Sequence, residues 1–200
     1  MKALLAAVLL CVSCGARAQG YRLPFDGRWF ALQGGDTLNV NHHMRVRAQW
    51  YGIDFAKVGG PSGRALSKQP KPDEIENFYS WGAPVRSPVD GAVIRVTHEL
   101  PDNPLGVKDE RNPAGNYVVI QAGGDRYVFL AHFQHQSIVV RAGQRVGRSV
   151  HIGNAAIPIV DFSHLPSRCD RMELFDGFRF DESRLLRCKN ALFAEYHYAV

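Results

Sequence analysis

Residues 116–133, "NYVVIQAGGDRYVFLAHF", leave the fewest choices of fold. Two runs of β-branched and aromatic residues flank Gly123, Gly124 and Asp125, a turn composition that closes a hairpin. Other segments read the same way. "GAPVRSPVDGAVIRVTHEL" has two apolar runs about the turn "VDG", "SIVVRAGQRVG" adds a strand and a turn, and "QWYGIDFAKVG" is a short apolar strand. No internal repeat and no sustained helical periodicity interrupts this pattern. The expected fold is all-β, an antiparallel two-sheet, sandwich-like core.

The remaining segments qualify that core. Residues 60–82, "GPSGRALSKQPKPDEIENFYSWG", mix Pro, Gly, Ser and charge, which predicts a long surface loop with a short helical turn around "DEIENFY". "PDNPLGVKDERNPAG" is a second polar loop. The last 50 residues mix apolar patches with charge and read as an irregular segment, with one short helix across "DESRLLRCKNALFAEY".

Residues 1–18, "MKALLAAVLLCVSCGARA", join Lys2, an apolar run and a small-residue ending at Ala16 and Ala18, the layout of a cleaved export signal. The apolar run is shorter than the roughly 20 residues a membrane span needs, so no span is expected in the mature chain. Lipid attachment at Cys14 is the alternative, giving a periplasmic or secreted protein in one case and an anchored one in the other. The division expected is a signal over 1–18, an N-terminal extension over 19–35, a β domain over 36–150 and a divergent segment over 151–200.

With 46% hydrophobic residues the chain has enough apolar material for one folded core, which excludes widespread disorder. Removing Lys2 and Arg17 from 24 basic residues leaves 22 against 19 acidic ones, a net charge of +3. That mild excess suits an anionic polymer such as cell wall. The absence of a dense basic run argues against nucleic acid as a partner. In an exported chain Cys169 and Cys188 either form one disulfide or remain two free thiols.

The polar residues that stand out are Asp54, His42, His43 and His132. A carboxylate at Asp54, at the end of the apolar run "YGID", is costly to bury without a partner, so it faces a polar cleft or is paired. His42 and His43 reach it if "MRVRAQ" bends back. On a strand they point to opposite faces, so only one of them serves as a ligand. His132 closes the second hairpin strand at the sheet rim, where a histidine beside a metal orients water or stabilises developing charge. His151 and His164 are further candidates for a third ligand. His135 reads as a solvent-facing neighbour, and His98 and His197 as structural or surface residues.

In order along the chain, "YGIDF", "GAPVRSPVDGAVIRV", "GNYVVIQAGGDRYVFLAHF" and "SIVVRAGQRVGRS" resemble the lysostaphin-type zinc metallopeptidases, which cut peptide bridges in bacterial peptidoglycan. The resemblance covers about residues 36–150. It implies that Asp54 binds zinc and that His132 is catalytic. The usual first histidine ligand lies four residues before the aspartate, where this chain has Trp50. The upstream "NHH" of a variant pattern makes His43 the preferred substitute, with His42 second. The family closes its site with two histidines one residue apart. Here the nearest remnant is "FSHLPS", with His164 in the first place, as a second catalytic candidate, and Pro166 in the second. The expected function is zinc-dependent hydrolysis of peptidoglycan cross-links, or descent from enzymes that perform it. The alternative is a catalytically inactive, wall-binding or regulatory relative.

Overall fold

The computed structural model describes residues 20–35, 37–45, 49–124 and 126–156, together with the backbone of 160–166, 186–188 and 191–194. The export signal over 1–18, the lipid site at Cys14, the pairing of Cys169 with Cys188, and His197 lie outside the described residues. Among the described residues no helix is long and apolar enough to cross a membrane.

The hairpin expected from "NYVVIQAGGDRYVFLAHF" forms as β5 (Asn116–Gln121) and β6 (Arg126–Phe133). Gly123 and Gly124 adopt positive φ of 102° and 54° in its turn, a conformation that explains the two glycines. Along β5 the side chains alternate strictly. Asn116, Val118 and Ile120 are buried, whereas Tyr117, Val119 and Gln121 are partly exposed. On the outer face Tyr117 packs on Phe129 with ring centroids 5.0 Å apart.

Further strands extend the hairpin into one large antiparallel sheet. These are β1 (Trp29–Gln33), β2 (Ile53–Lys57), β4 (Gly91–Thr97), β7 (Arg145–Val146), β9 (Val160–Pro166), β10 (Leu186–Cys188) and β11 (Ala191–Ala194). The order is β10-β11-β1-β2-β9-β6-β5-β4-β7. A second sheet is the ribbon of β3 (Pro84–Arg86) and β8 (His151–Asn154). The all-β, antiparallel expectation is met. Val85 of the ribbon and Val93, Val118, Ile120, Val128 and Leu130 of the large sheet belong to one buried cluster, which joins the two sheets.

The runs on either side of "VDG" are β3 and β4, and they do not pair with each other. The chain changes sheets there, with Ser87 Oγ donating to the Val89 carbonyl at 2.6 Å. Of "SIVVRAGQRVG" only Arg145–Val146 is a strand. The surface loop over 60–82 holds the short helical turn where it was expected, as a 3₁₀ turn at Ile75–Asn77.

The helix expected across 181–196 is not what the described residues form. Leu186–Cys188 and Ala191–Ala194 are strands, with β11 paired to β1. The reason lies in β1: without β11 its outer edge would present a row of unpaired N–H and C=O groups, a demand that local helix propensity does not answer.

The sheet order decides what can meet. β9 lies between β2 and β6, with Asp161 opposite Asp54 on one side and His164 opposite Val128 on the other. Pro166 occupies the last position of β9, opposite Arg126, where a missing N–H ends the ladder rather than breaking it.

Close packing of β4 on β5 yields a test. A Cβ at Gly91 would run into the Gln121 carbonyl oxygen and come within 2.7 Å of Ile120 Cγ2. Gly91→Ala is therefore expected to cost about 1–3 kcal/mol in urea unfolding, the range for overpacking a close contact. An unchanged midpoint would contradict this register.

Candidate metal centre

Two neighbouring pieces of chain build the site. One is the loop over 34–45, ending in a 3₁₀ turn at His42–Arg45, and the other is β2. The buried amide of Asn41 holds the loop. Its Nδ2 donates to the Gly35 carbonyl at 2.9 Å, while its Oδ1 accepts from the backbone N–H of His43 at 3.1 Å. The Gln33 side chain in turn accepts from the backbone N–H of His42 at 3.0 Å. Each histidine thus has its backbone capped by a side-chain amide, as at the start of a helix.

The turn brings His43 onto Asp54. Nε2 of His43 donates to Oδ1 of the carboxylate at 2.9 Å. The side chains are only 8% and 7% exposed, so this is a pair removed from water. This hydrogen bond gives a carboxylate that is costly to bury the partner it requires. Gly52 permits the approach, because a Cβ there would stand 3.1 Å from Cδ2 of His43.

His42 also reaches this point, contrary to the expectation that one of the two histidines would face away. That expectation assumed a strand. In a 3₁₀ turn consecutive side chains are about 120° apart rather than opposed. The two rings lie 4.2 Å apart between centroids and are tilted by 35°. Donor atoms of His42, His43 and Asp54 all fall within 4.8 Å of one another. Two imidazoles and one carboxylate suit a divalent transition ion, which accepts intermediate nitrogen and hard oxygen donors together.

His132 is the seventh residue of β6, near the strand end as expected. Its φ is +61°, a left-handed conformation unusual for a side-chain-bearing residue. A register shift between Asn116 and Val118 puts an extra residue into β6 at this level, and the resulting bulge re-aims the side chain. The backbone is held on both sides: its N–H donates to the Ala114 carbonyl at 3.1 Å and its carbonyl accepts from Ala156 at 3.0 Å. Such anchoring is what keeps a strained residue in place. Nearby, the buried Asn116 amide donates to the carbonyls of Leu100, at 2.8 Å, and Phe133, at 3.2 Å.

Burial lowers the pKa of His132 to about 4; the Asp54 charge opposes that shift and His43 adds to it. At neutral pH the ring is therefore an uncharged base within the electrostatic reach of the His43–Asp54 pair.

The other histidines are engaged elsewhere. His135, expected to face solvent, is part-buried; its Nδ1 donates to the Leu100 carbonyl at 2.9 Å, and its backbone N–H donates to Asp102 at 3.0 Å. His151 is on the ribbon, with Nε2 at 2.9 Å from the Gly153 carbonyl. His98 lies 3.4 Å from Glu99 on the surface. His164 is placed by its backbone alone, on β9 opposite Val128. Asn41 and Gln33 were missed from the sequence. The signal for Asn41 was its place immediately before a short turn, a cap position.

No protein-family model matches the chain, and no characterised protein matches it by sequence. Among solved structures, a zinc-containing peptidase from Vibrio cholerae is similar at 22% identity over 74% of this chain, with a TM-score of 0.38. This chain spans 36% of that protein. Pseudoalterin, an M23 metalloprotease from the deep sea, is similar at 12% identity over 75% of this chain and 72% of its own, with a TM-score of 0.43. CbpA from L. salivarius REN gives 12% identity over 88% and 91%, with a TM-score of 0.43. Superpositions this loose carry no chemistry across, and the reading of the site rests on its own side chains.

The His132 shift makes stability depend on pH. An unfolded histidine takes up its proton near pH 6.5, whereas the folded one waits until about 4, so between these values acid favours the unfolded chain. Metal-free protein is expected to lose up to about 3 kcal/mol relative to His132→Gln as pH falls from 7 to 4 in urea titrations. Parallel pH profiles would contradict the neutral assignment.

Proposed function

We propose that this chain is an exported, zinc-dependent metalloendopeptidase that hydrolyses peptide cross-links of peptidoglycan. The observation that carries this reading is the buried His43–Asp54 pair with an uncharged His132 in its field. A carboxylate–imidazole pair able to hold a metal and a nearby neutral base are two of the parts that hydrolysis without a covalent intermediate requires. Export through the segment at 1–18, with attachment at Cys14 as the alternative, would place the protein where cell wall is its partner. The peptidase-like body over 36–150 and the divergent segment over 151–200 belong to the same proposal.

His43 and Asp54 would hold the ion, which when bound supplies Lewis-acid polarisation of a peptide carbonyl and of water. The work of this chain's own residues is proton movement and orientation. His132, being neutral, accepts a proton from the attacking water at an imidazole nitrogen and delivers it to the departing amine. Anchoring of its backbone by Ala114 and Ala156 limits the rearrangement needed as charge develops. His164 is the second proton-handling candidate, on the strand that separates those of Asp54 and His132.

A second reading has its own support. Pro166, where the paired-histidine pattern needs a donor, offers a metal nothing, and this favours a non-catalytic, wall-binding relative.

Release of free amino groups from purified peptidoglycan sacculi separates the two. The zinc-supplemented protein is expected to release them, and His132→Ala to lower the turnover by about 10²–10⁴-fold while leaving bound zinc unchanged. Sacculus binding without release in the unaltered protein would favour the second reading.

A further inference from the structure

We propose that His42 is the third metal ligand, so that one 3₁₀ turn and one strand complete the site without any side chain from beyond residue 156. The inference rests on the metallopeptidase reading above and concerns how its site is closed when Pro166 stands in the second place of the closing histidine pair. A catalytic zinc site needs three protein donors and one open position, and His43 with Asp54 supplies two. Among the described residues, the third group whose donor converges on that pair is His42. His98, His135 and His151 are occupied at other places in the fold.

The turn makes the third donor possible. Adjacent residues on a strand would face opposite ways, but the 3₁₀ conformation of His42–Arg45 leaves the two rings 4.2 Å apart between centroids. Donors about 2.1 Å from a tetrahedral ion stand about 3.4 Å apart. The separation of 2.9 Å between His43 Nε2 and Asp54 is already near that value, and all three donors fall within 4.8 Å. An ion can take the place of the shared proton, which passes to solvent or to Nδ1. The exposed ring of His42 is free to close the remainder by rotation about its side-chain bonds. Its backbone is already fixed by Gln33, which reduces the ordering that binding must impose.

Exposure is distributed as an open site requires. His43 and Asp54 are buried and His42 is exposed, so the ion has a path in and keeps a side facing solvent. The donor set carries one negative charge, on Asp54, and two neutral imidazoles, which suits zinc over the oxygen-seeking calcium and magnesium. Loss of the usual closing histidine then need not abolish metal binding.

The test is equilibrium dialysis of the full exported protein against zinc near neutral pH, with bound metal quantified and folding checked by circular dichroism. One zinc per chain is expected. His42→Ala should weaken affinity by more than about 100-fold, beyond the 10–100-fold typical of outer-shell partners. His164→Ala should leave affinity within a few-fold of the unaltered protein. If zinc is retained by His42→Ala at unchanged affinity but lost in Asp54→Ala, His42 is not a ligand and the metallopeptidase reading survives. Loss of zinc in His164→Ala to the same extent as in His42→Ala would overturn closure within the turn. No zinc binding by the unaltered protein would overturn both this inference and the reading beneath it.

Discussion

His43 and Asp54 share a 2.9 Å hydrogen bond where neither side chain is more than 8% exposed, and much of the surrounding structure serves that contact. Removing the partner of a buried hydrogen-bonded group costs about 1–3 kcal/mol, and more where the group left behind is a carboxylate. Asn41, at 1% exposure, fixes the turn that delivers His43. Gly52 leaves room for the ring, and β2 holds the carboxylate on a strand rather than on a loop. A rigid strand and a capped turn position donors more closely than two free loops could.

Sheet order supplies the second constraint. β9 alone separates β2 from β6, so Asp54 and His132 come from strands two apart in one continuous sheet. The bulge at His132 leaves its ring within electrostatic reach of that pair, at the cost of a left-handed backbone held by Ala114 and Ala156. Burial keeps the imidazole uncharged, which makes it a base and places a pH-dependent load on the folded state. The same burial therefore links chemistry with stability.

The hairpin of β5 and β6 was legible because two β-branched and aromatic runs about a glycine pair leave little else for that segment to do. Asp54 was legible as a carboxylate too costly to leave alone in an apolar run. The convergence of His42 with His43 was not, because adjacent residues were read with strand geometry and the turn arises from capping by Asn41 and Gln33. Those caps depend on contacts with Gly35 and on a strand that ends nine residues earlier. β10 and β11 were also illegible, since their pairing answers the open edge of β1 rather than any local propensity. His135 was misread for a related reason: its partner, the Leu100 carbonyl, is 35 residues away in sequence.

Zinc X-ray absorption spectroscopy on the metal-loaded protein tests the central claim most directly, because it reports the atoms around the ion without relying on activity. The expected spectrum has a first shell of nitrogen and oxygen only, with outer-shell scattering from two imidazoles, as His42, His43 and Asp54 require. Sulfur in the first shell, or scattering from fewer than two imidazoles, would contradict a site built on the His43–Asp54 pair and closed by its neighbour.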